Sequence, residues 1–138
     1  MRKYQALPTD ILKRLESLPV ELGAHEIVVF AYLFGGLVKG QVRPLSDVDI
    51  AVFLSTTENL VEVKLELIGM ISDHLGTDEF DLVILNDAPI SLVGRILRQR
   101  RVLVDKNPPI RHQFESLMNR KFFDFSRKEE ALLRQRFG

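Results

Sequence analysis

Apolar and polar positions alternate along the chain in a way that predicts helices interleaved with strands. Pro8 to Leu18 sets Ile11, Leu15 and Leu18 on one helical face, and Pro19 is expected to close that helix. Ile27 to Phe34 is a continuous run of apolar, β-branched and aromatic residues, the pattern of a strand buried on both faces. Gly35 and Gly36 interrupt it, and a short helix is expected before Pro44. Asp47 to Leu54 predicts a second strand. Ser55 and Glu58 have capping-box spacing, which predicts a helix from there to about Leu75, ended by Gly76. Its stripe is expected to be Val61, Leu65, Ile68 and Leu75, with Leu60, Leu67 and Ile71 beside it. Phe80 to Leu85 predicts a third strand, Pro89 to Gln99 a helix and Arg101 to Val104 a short strand. Asn107 is placed to cap a long last helix, with Pro108 at its first position. Strands separated by helices imply an α/β or α+β architecture, a small mixed sheet flanked by helices.

Composition narrows the class. The chain has 138 residues, 46% of them apolar, which suits a single domain over 1–138 with one sizeable core. Within it the core is expected over about 24–105 and the last helix over about 108–135. There are 19 Lys plus Arg against 19 Asp plus Glu, so the formal net charge is zero. That balance argues against direct nucleic-acid binding, which depends on a cationic excess facing phosphates. The absence of cysteine excludes disulfides, cysteine zinc sites and a cysteine nucleophile. No stretch has the apolar length of a membrane span, and the first residues lack the uninterrupted apolar run of a signal peptide. A cytoplasmic location is therefore expected.

Candidate chemistry concentrates between Leu33 and Phe53. Asp47 and Asp49 are two apart on a predicted strand, so both carboxylates leave the same face, while Val48, Ile50 and Val52 point the other way. Two carboxylates at the edge of an apolar strand repel each other and resist desolvation, so they need compensation. A magnesium ion supplies it, since this hard cation binds through one or two carboxylates and substrate phosphates. Gly35 and Gly36 at the end of a buried strand allow a ligand to approach the backbone closely. A helix starting there would turn free N–H groups toward a polyphosphate. Asp81 lies in the third predicted strand and faces away from Phe80, Leu82 and Ile84, so it joins the other carboxylates if the strands are adjacent. Each feature alone has an ordinary structural explanation; their order and spacing carry the argument.

At these residues the sequence resembles the minimal nucleotidyltransferases, the smallest branch of the DNA polymerase beta-like nucleotidyltransferase superfamily. The family pattern is an apolar residue, Gly, then Gly or Ser, about ten residues, and Asp-x-Asp among apolar residues, with a later carboxylate. Here it reads Phe34-Gly35-Gly36, ten residues, Asp47-Val48-Asp49-Ile50, and Asp81 in EFDLVIL. The match spans roughly Ile27 to Val104. The resemblance implies Asp47 and Asp49 bridging two magnesium ions, with Asp81 holding one of them and orienting the nucleophile. It also implies Gly35, Gly36, Lys39 and Ser46 as nucleotide-binding residues. Gly36 stands where many relatives have Ser, and Lys39 where an arginine is common, which supplies charge but no bidentate fork.

The implied activity is transfer of a nucleoside monophosphate, AMP from ATP by preference, to a hydroxyl. Larger relatives append a helical domain that holds the acceptor, whereas this chain offers one C-terminal helix, so the acceptor is expected on another macromolecule. By analogy the expected role is antitoxin to a helical HEPN-domain ribonuclease toxin. A catalytically weak antitoxin acting only as a binding module, a small-molecule nucleotidyltransferase of the antibiotic-modifying kind, and homo-oligomerisation remain open.

Other residues carry weaker signals. Arg95, Arg98, Arg100 and Arg101 crowd the end of a predicted helix, where they complement its dipole or grip phosphate. Phe122, Phe123 and Phe125 cannot all pack on one narrow stripe, which leaves part of the cluster for a partner surface. His25, His74 and His112 share no ligand spacing, and neither Tyr4 nor Tyr32 has a context suggesting chemistry.

Overall fold

The computed structural model describes residues 7–39 and 48–137. Its elements run α1 (Ile11–Ala24), β1 (Val28–Phe34), a 3-10 turn (Gly35–Lys39), β2 (Val48–Leu54) and α2 (Leu60–Leu75). They continue with β3 (Phe80–Ile84), a 3-10 turn (Leu85–Asp87), α3 (Ile90–Arg98), β4 (Arg100–Asp105) and α4 (Pro108–Phe137). The strands form one mixed sheet in the order β3-β2-β1-β4. β1 runs antiparallel to both β2 and β4, and β2 runs parallel to β3.

Both faces of the sheet are covered, as the unbroken apolar run of β1 requires. On one face Ala31, Leu33, Val48, Ile50, Leu82 and Ile84 pack with α1 and α2 residues. On the other, Phe30, Tyr32, Ala51 and Leu85 pack with Val93, Ile96 and Leu97 of α3 and Phe114 of α4. Here the rings of Phe30 and Phe53 stack at 4.8 Å, and Phe114 closes on them at 5.5 and 5.2 Å. Asn86 fastens the turn after β3 to the end of β2. Its Nδ2 donates to the Leu54 carbonyl at 2.8 Å, and its Oδ1 accepts the Leu54 N–H at 2.9 Å, imitating a backbone neighbour.

Three local expectations are corrected. Pro19 lies inside α1, which continues to Ala24. The stripe of Ile11, Leu15 and Leu18 extends to Leu22, and none of these four is more than 1% exposed. Burying a leucine is worth ~1.5–3 kcal/mol, so the stripe outweighs the ~3 kcal/mol cost of an interior proline. The capping box does not form. Thr56 Oγ1 instead accepts the Glu58 N–H at 3.1 Å, and Asn59, at φ 54°, turns the chain into α2. The buried stripe of α2 is Leu67, Ile71 and Leu75, whereas Val61 and Leu65 stay 74% and 64% exposed.

The expected end signals hold at two other places. Gly76 follows α2 at φ 70°, its N–H bonded to the Ser72 carbonyl at 2.9 Å. Asn107 Oδ1 accepts the Ile110 N–H at 3.3 Å ahead of α4.

Candidate active site

Strand register, set by the apolar residues of the opposite face, decides where the acidic side chains fall. Val48, Ile50 and Val52 are buried under α1 and α2, so the alternation turns Asp49 to the other face. Phe80, Leu82 and Ile84 do the same for Asp81. In the parallel β2–β3 ladder Asp49 and Asp81 are direct partners. They lie side by side on strands ~4.8 Å apart. Asp49 is half-buried and Asp81 is exposed. On the other side Asp49 pairs with Phe34, which in turn pairs with Arg100 of β4. One row across the sheet therefore reads Asp81, Asp49, Phe34, Arg100.

The chain leaves β1 directly beside this row. Gly35 has φ +78°, and a Cβ there would stand 2.4 Å from Asp49 Oδ2. Gly35 is thus required twice, by its left-handed backbone and by the carboxylate lying against it. Gly36 differs, since among the described residues a Cβ there meets nothing within 4 Å. Among the described residues, the double glycine is one crowded position and one open position.

Asp47 and Ser46 lie outside the described residues, and Lys39 is described only as the last residue of its turn. Of the candidate residues, the structure brings together Gly35, Asp49 and Asp81, with Gly36 adjoining. Among the described residues no group of three or more His, Cys, Asp or Glu side chains is arranged to hold a metal. The donor set nonetheless fits a hard divalent cation, being two neighbouring carboxylates on one face with backbone tucked against one of them.

Arg100, at the far end of the row, belongs to a network the sequence did not reveal. Tyr32 donates its hydroxyl to Glu115 Oε2 at 2.6 Å. Arg100 reaches the same oxygen at 2.9 Å, and Arg111 lies 3.1 Å from it and 3.0 Å from Asp105. Arg100 also sits over the Tyr32 ring. Burial penalises the Glu115 carboxylate, but the Tyr32 hydroxyl and the two guanidiniums outweigh that and hold its pKa below the ordinary range. Burial, reinforced by the Glu115 carboxylate, pushes the Tyr32 hydroxyl well above its usual value. The group ties β1, β4 and α4 together. Tyr32 sits inside an apolar run and Glu115 inside a charged helix, so neither carried a local signal.

The remaining arginines divide. Arg98 lies over the Phe122 ring at 5.6 Å, and Arg95 and Arg101 are exposed. Phe122 itself packs against Gly94, where a Cβ would meet the ring at 2.0 Å. Phe123 is 59% exposed.

The structure thus sets an in-register acidic pair beside a glycine turn, on a small mixed sheet covered by helices. The model of the polymerase beta nucleotidyltransferase family matches residues 17–109, and the chain belongs to that family. No curated protein matches the chain. Among solved structures it resembles a toxin-antitoxin crystallised with AMP-PNP, with TM-score 0.72 and 20% identity over 91% of this chain and 98% of that one. A tri-AMPylated Shewanella oneidensis HEPN toxin in complex with its MNT antitoxin gives TM-score 0.69 and 20% identity, over 91% and 98% of the two chains. The MntA-HepT toxin-antitoxin gives TM-score 0.68 and 20% identity, over 92% and 99%. At these identities the likeness establishes the fold. Among the described residues no helix is long and apolar enough to cross a membrane.

Proposed function

We propose that the chain is a magnesium-dependent nucleotidyltransferase that moves AMP from ATP to a hydroxyl of a partner protein, as the antitoxin of a HEPN ribonuclease toxin. The observation that carries this is the direct pairing of Asp49 with Asp81 on one face, with Gly35 closed against Asp49. The AMP-PNP complex and the AMPylated toxin among the structural neighbours favour ATP as donor and a toxin as acceptor. The role places the chain in the cytoplasm, where ATP and magnesium are abundant.

In this reading Asp47, Asp49 and Asp81 would hold the metal, and Gly35, Gly36, Lys39 and Ser46 would lie against the triphosphate. When bound, magnesium neutralises phosphate charge and favours ionisation of the acceptor hydroxyl. Asp81, on the outer strand, accepts the hydroxyl proton and orients its oxygen. That oxygen bonds to the α-phosphorus as the bond to the bridging α–β oxygen breaks, and pyrophosphate leaves. Arg100 is held by Glu115 and Tyr32, so the mechanism assigns it no phosphate.

The test is label transfer from α-labelled ATP to a co-expressed HEPN partner. Asp49→Asn is expected to reduce transfer by about a hundredfold or more, because the metal would need its charge. Full transfer by this variant refutes the catalytic reading. Wild-type protein that binds the toxin without labelling it would instead establish a sequestering antitoxin.

A further inference from the structure

On the side of the acidic pair, no strand lies beyond β3 among the described residues. Among the described residues β3 pairs only with β2, without a register shift, and its sequence FDLVI contains no proline. An edge with neither bulge nor proline leaves backbone groups that another strand can pair with. Two clefts of about 370 Å³ each follow this edge and share Lys64 and Leu82. One reaches Asp78 and Asp81, and the other reaches Asp87 and Pro89. The edge thus opens between α2 on one side and the second 3-10 turn with α3 on the other. Val61, on the α2 wall, is 74% exposed, and Leu65 one turn on is 64% exposed.

Displacement at phosphorus places the attacking and leaving oxygens roughly in line. If the triphosphate lies against Gly35, as proposed, and the line of displacement follows the row from Phe34 to Asp81, pyrophosphate would leave on the β1 side of Asp49 and the acceptor oxygen would arrive past Asp81. Beyond Asp81 there is no further strand among the described residues, only the open edge.

We infer that the β3 edge is the acceptor's docking strip. An extended segment of the partner protein adds beside β3, between α2 and α3, and carries its hydroxyl side chain to Asp81. Strand addition supplies main-chain hydrogen bonds whatever the sequence, while alternate side chains choose the partner. Apart from Asp81, which would hold the metal, the charged side chains lining the two clefts among the described residues are Asp78 and Asp87 against Lys64, so the strip favours a segment with basic residues flanking the hydroxyl. Val61 offers a contact for its apolar ones. The inference rests on the proposed nucleotidyltransferase reading for the position of the nucleotide.

The experiment uses the full chain and eight-residue peptides with a central tyrosine, flanked either by lysine and leucine or by glutamate and leucine. Fluorescence anisotropy with magnesium and AMP-PNP present reads their binding. The basic peptide is expected to bind at least tenfold tighter than the acidic one. The double variant Val61→Lys, Asp87→Lys, at two exposed positions outside the metal site, is expected to reduce that binding and transfer to the HEPN partner at least tenfold. AMP-PNP binding and the melt should not change. Equal binding of the two peptides, or loss of less than twofold in the variant, overturns the inference. So does a chain that dimerises in sedimentation and becomes monomeric in the variant, since a second copy then occupies the edge. If the basic peptide binds as expected while no hydroxyl acquires label, the docking strip stands and the catalytic reading fails.

Discussion

Gly35→Ala and Gly36→Ala change neighbouring residues by the same methyl group, yet the structure expects opposite outcomes. At position 35 the new Cβ would lie 2.4 Å from Asp49 Oδ2, against the 3.4 Å at which ordinary contact begins, so the carboxylate must retreat by about 1 Å. The backbone at φ +78° adds strain, at ~1–3 kcal/mol for a non-glycine residue in a sparsely populated region. For 138 residues each kcal/mol lowers the melting temperature by about 3 °C. Gly35→Ala should therefore melt about 3–9 °C below wild type. A 1 Å misplacement at a reacting centre can cost about a hundredfold in rate, and Asp49 is the residue displaced, so transfer should fall by about that factor. Gly36→Ala meets no described residue within 4 Å and should stay within ~0.5 kcal/mol of wild type. Differential scanning fluorimetry and label transfer from α-labelled ATP, run on both variants, decide the matter. If Gly35→Ala melts and transfers like Gly36→Ala, the reading of this turn as a cradle for Asp49 is wrong.

Glu115→Gln removes the shared acceptor of Tyr32, Arg100 and Arg111 and leaves buried donors poorly matched, which should cost ~1–3 kcal/mol in urea unfolding at neutral pH. Because the folded pKa of Glu115 is depressed, its contribution is present above the ordinary carboxylate pKa and lost as pH falls through the folded value. The gap between wild type and Glu115→Gln should narrow in acid, and a constant gap would contradict the network. Gly94→Leu inserts side-chain atoms where a Cβ already meets Phe122 at 2.0 Å, so α4 must lift from α3 at ~1–3 kcal/mol; an unchanged melt would contradict that packing. Phe123→Asp, at a ring 59% exposed, should leave the melt within ~0.5 kcal/mol of wild type. If α4 contributes to the toxin interface, the same change should raise the Kd for the toxin in calorimetry, and an unchanged Kd excludes Phe123 from that surface.

Alternation along the chain was enough to place Asp49 and Asp81 on the faces they occupy. Each is flanked by residues that have to be buried, and a strand has only two faces. The strand identities and the end signals at Gly76 and Asn107 were legible for the same reason, since each rests on chemistry within a few residues. Contacts between distant segments decided the rest. Pro19 survives inside α1 because Leu22 finds a buried place that the local pattern does not reveal. Val61 and Leu65 stay exposed because α2 presents Leu67, Ile71 and Leu75 to the sheet, and which of two apolar stripes turns inward is fixed by the surface it meets. The pairing of β3 with β2, which sets Asp81 beside Asp49, joins residues more than thirty apart. The crowding of Gly35 against Asp49 and the bond from Tyr32 to Glu115 likewise depend on strands and helices first being docked. Sequence determined which way each side chain faces along its own strand or turn; the tertiary structure decided which of them meet, because loop closure and packing, not local propensity, bring distant segments together.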